Sequence, residues 1–196
     1  YLHYILDNWF ETFIKPKFKV CKLVRYADDF IAFFENKADA MQFKKELKIR
    51  LAKYNLFLEP SKTHIIPFGR NTNSNIGFDF LGFTISGSTD SLGNYKLNFI
   101  TSKKKYNSKK MAIKQIIKNI NYNNYEISIQ QLNFKLQGFY NYYNVDTNWA
   151  NIKSLYLYTL NVLESHLKKH KIKKYMLNEN YHILLVKPDY NKTKSL

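Results

Sequence analysis

The sequence has little cysteine, no long apolar run and few acidic residues. Its single cysteine, Cys21, excludes an internal disulfide and a cysteine-cluster zinc site. No uninterrupted apolar stretch approaches the roughly 18 residues that a membrane-spanning helix needs. No signal peptide is recognisable in residues 1–14, which instead have the apolar spacing of an amphipathic helix. These features predict a soluble, intracellular protein, cytoplasmic or organellar, in a reducing compartment.

The scarcity of acidic residues is most pronounced in the second half. The chain has 31 Lys and Arg against 15 Asp and Glu, a net charge of +16, and residues 101–196 account for 17 of the basic and 5 of the acidic residues. Tyrosines lie among these lysines, and phosphate contacts and base stacking use that combination. Nucleic acid is therefore the leading candidate partner. The alternative is that biased codon usage has produced ordinary solvated helix faces.

The spacing of apolar residues predicts an α+β fold. The first half alternates helical and strand patterns, and the second half has the three- and four-residue spacings of helices with basic faces. We place the domain boundary between residues 102 and 103, giving an antiparallel sheet with covering helices in 1–102 and a helical bundle in 103–196. The predicted helices are 1–15, 37–54, 103–120, 128–143, 149–170 and 176–185. The predicted strands are 18–25, 30–35, 64–68, 78–85 and 95–100.

Two adjacent carboxylates, Asp28 and Asp29, lie between the apolar runs 20–24 and 30–34. This pattern predicts a β-hairpin, whose strands are apolar enough on both faces to be central in a covered sheet. Neighbouring like charges repel, and a cation relieves that repulsion. The expected cation is Mg²⁺, since phosphoryl and nucleotidyl transfer use carboxylates that hold metal ions at a fixed, exposed point. The alternative is an ordinary Asp-Asp turn.

Several segments together resemble one family. The chain resembles the downstream palm of group II intron reverse transcriptases in the order of four features. These are residues 23–30, which contain Tyr26-Ala27-Asp28-Asp29, then a helix, then residues 58–63 and then residues 80–83. The opening residues 1–11 resemble the helix before the metal-binding hairpin of that family. Residues 137–143 resemble its thumb, or maturase domain X, with Gln137 and Phe139 standing where Arg and Trp are usual.

The resemblance implies roles for the residues around the hairpin. Asp28 would be the principal metal ligand and Asp29 a second ligand or electrostatic support, while Tyr26 would pack near the primer terminus. Lys62 aligns with a lysine proposed to protonate the departing pyrophosphate, for which its charge also suits it. The alternative for Lys62 is a surface lysine in a turn.

It also implies nucleic-acid contacts further along the chain. The primer grip would be formed by Leu81, Gly82 and Phe83, where a glycine lets a nucleic-acid backbone approach; a β-bulge at Gly82 is compatible with that role. On a predicted helix, Tyr140, Tyr142 and Tyr143 would contact the duplex or intron RNA, or alternatively pack between helices. Independently of the resemblance, the basic charge of the second half predicts an RNA-binding platform that includes Lys103, Lys104 and Lys105. His166 and His170 belong to the basic face, since nearby lysines repel a cation.

The family therefore implies an RNA-directed DNA polymerase that uses Mg²⁺, dNTPs, an RNA template and a DNA primer, with a possible role in intron-RNA splicing. Residues 1–102 would be the C-terminal part of the palm and 103–196 the thumb. Because fingers and another palm carboxylate are expected upstream, we expect this chain alone to be inactive and to need such a portion. The alternatives are a non-catalytic RNA-binding or splicing fragment, or a related retroelement, defence or CRISPR-associated reverse transcriptase. The sequence after the predicted thumb contains no Cys/His cluster, which argues against the zinc-containing endonuclease that some members of the family carry.

Overall fold

A computed structural model describes residues 1–70, 72, 76–121, 125–170 and 185–192 of the chain. The chain forms two compact units, Tyr1–Ile76 and Gly77–Leu196. Small antiparallel sheets and several helices occur in it, so the α+β class is confirmed at that level. The palm and thumb assignments, and the domain boundary after residue 102, stay predictions.

The first unit consists of helical turns, one β-hairpin and one long helix. The N-terminal helical segment ends at Lys17, where Pro16 and the extended backbone of Phe18 stop it. The helix α1 begins after Asn36, whose side chain accepts a hydrogen bond from the Asp39 amide. In order, the elements are the π-helical turns His3–Asp7 and Phe10–Ile14, the 3₁₀ turn Lys15–Lys17, β1 (Cys21–Tyr26), β2 (Asp29–Phe34), α1 (Lys37–Ala52) and the 3₁₀ turn Pro60–Lys62.

One face of the hairpin closes the core of this unit. The aromatic ring of Phe43 in α1 lies against the rings of Phe10 and Phe34, with centroids 5.6 and 5.1 Å away. Cys21, Leu23, Phe30 and Ala32 pack on the same core from the strands. The buried members come from the N-terminal segment and α1: Ile5, Leu6, Trp9, Phe10, Ile14, Phe43, Leu47 and Leu51.

The other face of the hairpin differs from the prediction. Among the described residues β1 and β2 pair only with each other, whereas the sequence predicts a central position in a covered sheet. Val24 and Phe33 are exposed on this outer face, although apolar side chains of this size are usually buried. The predicted strand 64–68 is also wrong: these residues form no ladder, and Pro67 has no amide hydrogen to donate to one.

The second unit joins a three-stranded meander to a helical bundle. Its strands are β3 (Gly77–Phe80), β4 (Phe83–Thr89) and β5 (Tyr95–Thr101), in the order β3-β4-β5. The helices are α2 (Lys103–Lys118), α3 (Tyr125–Tyr143) and α4 (Trp149–Lys169), with 3₁₀ turns at Asp146–Asn148 and Tyr190–Lys192. Most of the predicted helix 176–185 lies outside the described residues.

The predicted strand 78–85 is wrong, because it is two strands. Phe80 pairs with Phe83, and Leu81 and Gly82 form the two-residue turn between them with φ values of 49° and 83°. The break predicted at Gly87 is also wrong, since β4 continues to Thr89. The predicted return strand is confirmed: β5 pairs with β4 from Tyr95 to Thr101.

Among the described residues, the core of the second unit lies between α2, α3 and α4. It contains Ile113 and Ile117 of α2, Leu132 and Leu136 of α3, and Ile152, Leu155 and Leu163 of α4. Helix α2 therefore buries Ile113 and Ile117, as its apolar spacing predicts, whereas Met111 of the same pattern is exposed. None of the helices in the described parts of the chain is long and apolar enough to span a membrane.

A single buried amide, Asn148, links the sheet to two of the helices. It is 1% exposed, its Oδ1 accepts from the Thr101 amide at 2.8 Å, and its Nδ2 donates to the Thr101 hydroxyl and to the Tyr143 carbonyl. Asn151 donates a further hydrogen bond to Oδ1. The end of β5, the end of α3 and the start of α4 therefore meet at one side chain.

We predict that Asn148→Ala lowers the free energy of unfolding of the second unit by about 3 kcal/mol, since it leaves several buried polar groups without partners. Asn151→Ala is the matched control; it removes only the bond to Asn148 and should cost less than about 1 kcal/mol. Hydrogen exchange of the α3 and α4 amides measures both losses in this unit. Equal losses in the two variants would contradict the prediction.

Candidate active site

The hairpin presents Asp28 and Asp29 to solvent. The register pairs Tyr26 with Asp29, so that Ala27 and Asp28 form a two-residue turn. Both carboxylates are exposed, and neither has a hydrogen bond or ion pair with another described residue. Alternation along the strands places Asp29 and Tyr26 on the bare outer face, opposite the face that packs on the core.

The backbone of this turn is in an unfavourable conformation. Ala27 has φ 54°, in the left-handed region that glycine adopts without cost and alanine does not. Backbone of this kind persists only where its surroundings hold it. The turn that carries the two carboxylates is therefore fixed by neighbouring groups.

Arg25 and Asp7 are the neighbours that contact this turn. The Arg25 guanidinium donates to both carboxylate oxygens of Asp7, with Nε 2.7 Å from Oδ1, and its Nη1 donates to the Ala27 carbonyl at 2.6 Å. The hydrogen bond from Arg25 holds the pKa of the Asp7 carboxyl below its ordinary value, against the opposite effect of partial burial. The sequence pattern alone reveals neither residue as a contact of the turn, since 18 residues separate them.

Lys62 lies on an exposed 3₁₀ turn in the same unit. The turn begins at Glu59, whose carboxylate accepts from the amide and the hydroxyl of Ser61, and these bonds lower the pKa of Glu59. Lys44 of α1 donates to the Thr63 carbonyl and attaches the turn to the helix. Within the described ranges no hydrogen bond or ion pair joins Lys62 to Asp28 or Asp29, so its predicted catalytic role stays a prediction.

In the second unit, the Leu81-Gly82 turn packs against tyrosines of α3. The Tyr142 hydroxyl donates to the Leu81 carbonyl at 2.8 Å, and the Ser102 amide donates to the Gly82 carbonyl. The Phe83 ring stacks on Tyr142 and meets Tyr143 edge-on, with centroids 5.9 and 4.9 Å away. Residues predicted as primer grip and as thumb contacts therefore lie together in this unit.

The three tyrosines differ in exposure. Tyr140 is 4% exposed and Tyr143 is 9% exposed, both in the core of the bundle, whereas Tyr142 is 54% exposed. Burial raises the pKa values of Tyr140 and Tyr143, as expected for phenols away from water. Tyr140 and Tyr143 therefore pack between helices, which was the alternative to a nucleic-acid contact in the sequence analysis. Tyr142 is exposed enough to contact a ligand.

The basic residues of the second unit are concentrated on α2. Lys103, Lys104 and Lys105 form its exposed first turn, which contains no acidic residue. One turn further on, the Lys110 ammonium lies 4.4 Å from the centroid of the Tyr158 ring. Lys110 and Tyr158 border an open groove of about 450 Å³ between α2 and α4, whose other lining residues are Ala150, Lys153, Ser154, Leu157 and Asn161.

The carboxylates of the hairpin suit a weakly held magnesium ion. Mg²⁺ commonly binds through one or two carboxylates and completes its coordination with water and substrate phosphates. Asp28 and Asp29 supply two such groups with open acceptor oxygens. In the described parts of the chain no three His, Cys, Asp or Glu residues come together as a metal-binding group.

Residues 1–85 match the family model for reverse transcriptase (RNA-dependent DNA polymerase). This match covers less than half of the chain and supports the reverse transcriptase prediction for the part that contains the hairpin, Lys62 and the Leu81-Gly82 turn. The group II intron type stays a prediction. No curated protein and no solved structure matches the chain.

The contact between Gly82 and Tyr143 leads to a prediction. A Cβ at Gly82 would clash with the Tyr143 hydroxyl, whereas a Cβ at Gly93, with nearly the same φ, meets nothing within 4 Å. Gly93→Ala should cost about 1 kcal/mol of stability through its backbone alone, and Gly82→Ala about 1 to 3 kcal/mol more through the clash. Chemical denaturation measures both. Equal losses would mean that Tyr143 moves aside freely.

Proposed function

We propose that this chain is part of an RNA-directed DNA polymerase of the group II intron type, and that Asp28 and Asp29 hold Mg²⁺ for nucleotidyl transfer. The observation that carries the proposal is the exposed pair of carboxylates on a fixed hairpin turn, inside the region that matches the reverse transcriptase model. Adjacent exposed carboxylates repel each other, so the fold gains nothing from them without a cation.

Bound Mg²⁺ would supply activation of the primer hydroxyl and neutralisation of charge on the phosphates of the incoming dNTP. The protein's own contribution is geometric. The inner face of the hairpin packs on the core, so the strands cannot shift in register without exposing that face, and the turn keeps its position. Tyr26 is exposed on the same face as Asp29, where its ring could pack near the primer terminus.

The second unit would bind the template and primer, or intron RNA. Its support is electrostatic: Lys103, Lys104 and Lys105 lie in the first turn of α2, where the positive end of the helix dipole makes lysine unfavourable. A helix that keeps three lysines there loses stability, and phosphate binding offers a compensating gain. The Lys110-Tyr158 groove adds a cation and an aromatic ring, which suit phosphate and base respectively.

A non-catalytic RNA-binding or splicing protein is the second candidate function. The lysines of α2 favour it, since they need no contribution from the hairpin carboxylates. The two functions separate experimentally, because metal binding depends on the first unit and affinity for nucleic acid on the second. We therefore predict their outcomes independently.

For the metal, we expect Mn²⁺ titrated into the chain to broaden the backbone NMR signals of residues 27–30 selectively. The double variant Asp28→Asn/Asp29→Asn should weaken this effect at least about tenfold, because it removes both anionic ligands while keeping their shape. The control is Asp146→Asn, an exposed aspartate of the second unit. If broadening at the hairpin survives in the double variant, the proposed metal site is wrong.

For nucleic acid, we expect affinity for an RNA–DNA template-primer to fall steeply with salt concentration. Changing Lys103, Lys104 and Lys105 to Gln should reduce the slope of log K against log salt by roughly 2 to 3, about one unit per lost phosphate contact. Unfolding would not explain that loss, since the change removes cations from a helix N-terminus and should stabilise α2.

The control for this experiment is the triple change of Lys45, Lys48 and Lys53 to Gln, which alters the net charge equally. A weak salt dependence in the parent chain would contradict the electrostatic interface. Equal effects of the two triple variants would show that total charge, rather than the first turn of α2, determines the affinity.

A further inference from the structure

Arg25 connects the hairpin turn to the N-terminal helical segment. Its guanidinium uses Nε and Nη2 on the two oxygens of Asp7 and Nη1 on the Ala27 carbonyl. Both Arg25 and Asp7 are about one-quarter exposed or less, with side-chain exposures of 21% and 27%. The planar fork of an arginine is what allows one side chain to bind a carboxylate bidentately and still reach a third acceptor.

The third contact falls on the residue with the unfavourable backbone. Ala27 is the left-handed residue of the turn, and its carbonyl belongs to the peptide group whose nitrogen is that of Asp28. A donor fixed on that carbonyl opposes rotation of the peptide plane and hence relaxation of Ala27 to an ordinary conformation. Because Asp28 follows directly, the same contact sets where its carboxylate points.

Asp7 fixes the arginine itself. It lies in the π-helical turn His3–Asp7, whose Ile5 and Leu6 are buried in the core, so the carboxylate has a rigid support. Arg25 pairs with Phe30 across the hairpin and therefore belongs to the inner strand face. Its charge is neutralised by Asp7. Arg25 is therefore held for a structural contact and is not available as a substrate-binding cation.

We propose that Arg25, anchored by Asp7, is a positioning residue that holds the left-handed turn at Ala27 and thereby orients Asp28 and Asp29. Its consequence for metal binding rests on the function proposed above. The stabilisation of the turn by Arg25 does not rest on the proposed function, because it follows from the contacts of Arg25 alone. Lysine at position 25 would keep the charge but could not bridge Asp7 and the Ala27 carbonyl in the same way.

The test is a rescue experiment on the full chain. Hydrogen exchange is measured at the amides of Tyr26 and Asp29, the pair that closes the turn, in the parent and in Arg25→Lys. We expect exchange to accelerate about tenfold in Arg25→Lys. In the Ala27→Gly background the acceleration should largely disappear, because glycine adopts the left-handed conformation without help. Acceleration of the same size in both backgrounds, or none in either, overturns the proposal.

A matched control separates this effect from a general loosening of the first unit. Arg50→Lys removes another arginine that holds the N-terminal helical segment, through its bond to the Ile5 carbonyl and its contact with the Trp9 ring. It should leave exchange at Tyr26 and Asp29 unchanged; acceleration equal to that of Arg25→Lys counts against the proposal.

Mn²⁺ binding distinguishes the two proposals. If Mn²⁺ broadens the hairpin signals of the parent, Arg25→Lys should weaken that binding and Ala27→Gly should restore it in the double variant. Loss of binding without rescue would overturn the orienting role. If the parent binds no Mn²⁺ while the exchange rescue is seen, the proposed metal site fails and the holding of the turn by Arg25 stands.

Discussion

The two-residue connection between β1 and β2 is the constraint on which the site depends. It fixes the register, and a shift by one residue would move every side chain of the hairpin to the opposite face. With the register fixed, the core side chains Leu23, Phe30 and Phe34 face inward while Tyr26 and Asp29 face solvent. Burial of apolar surface on one face thus determines where the charges lie on the other.

Packing alone leaves the charges unexplained. The adjacent carboxylates of Asp28 and Asp29 and the three lysines at the start of α2 are both electrostatically unfavourable in the free chain. The fold nevertheless keeps both groups exposed, where solvent reduces the penalty and a ligand of opposite charge can reach them. A cation for the first group and phosphates for the second are the ligands that this chemistry selects.

Much of the fold follows from the sequence, because apolar spacing determines which faces are buried. The hairpin, α1, α2 and α4 lie within a few residues of their predicted bounds, and the exposed carboxylates lie on the predicted turn. The Leu81-Gly82 turn was missed because the apolar pattern continues through it. The contact of Arg25 with Asp7 depends on tertiary structure, and no periodic signal reveals a pair so far apart in the chain.

Three described residues other than glycine have a positive φ, and their surroundings show how such backbone is tolerated. Asn55 follows α1, where Leu56 donates to the Leu51 carbonyl in the usual way for a helix end. Ala27 and Leu81 instead lie in two-residue turns, in different units.

In both of those turns a distant or preceding side chain donates to the carbonyl of the left-handed residue, Arg25 in the first and Tyr142 in the second. The two donors have different consequences. Tyr142 joins its turn to a helix that is itself part of the core, so the bond contributes to packing of the second unit. Arg25 joins its turn to Asp7, and the residue after the turn's strained position is a carboxylate with no partner among the described residues. The turn is strained, is held firmly and ends in an unpaired charge, and this combination does not stabilise the fold. It is explained by the need to present that charge in one orientation.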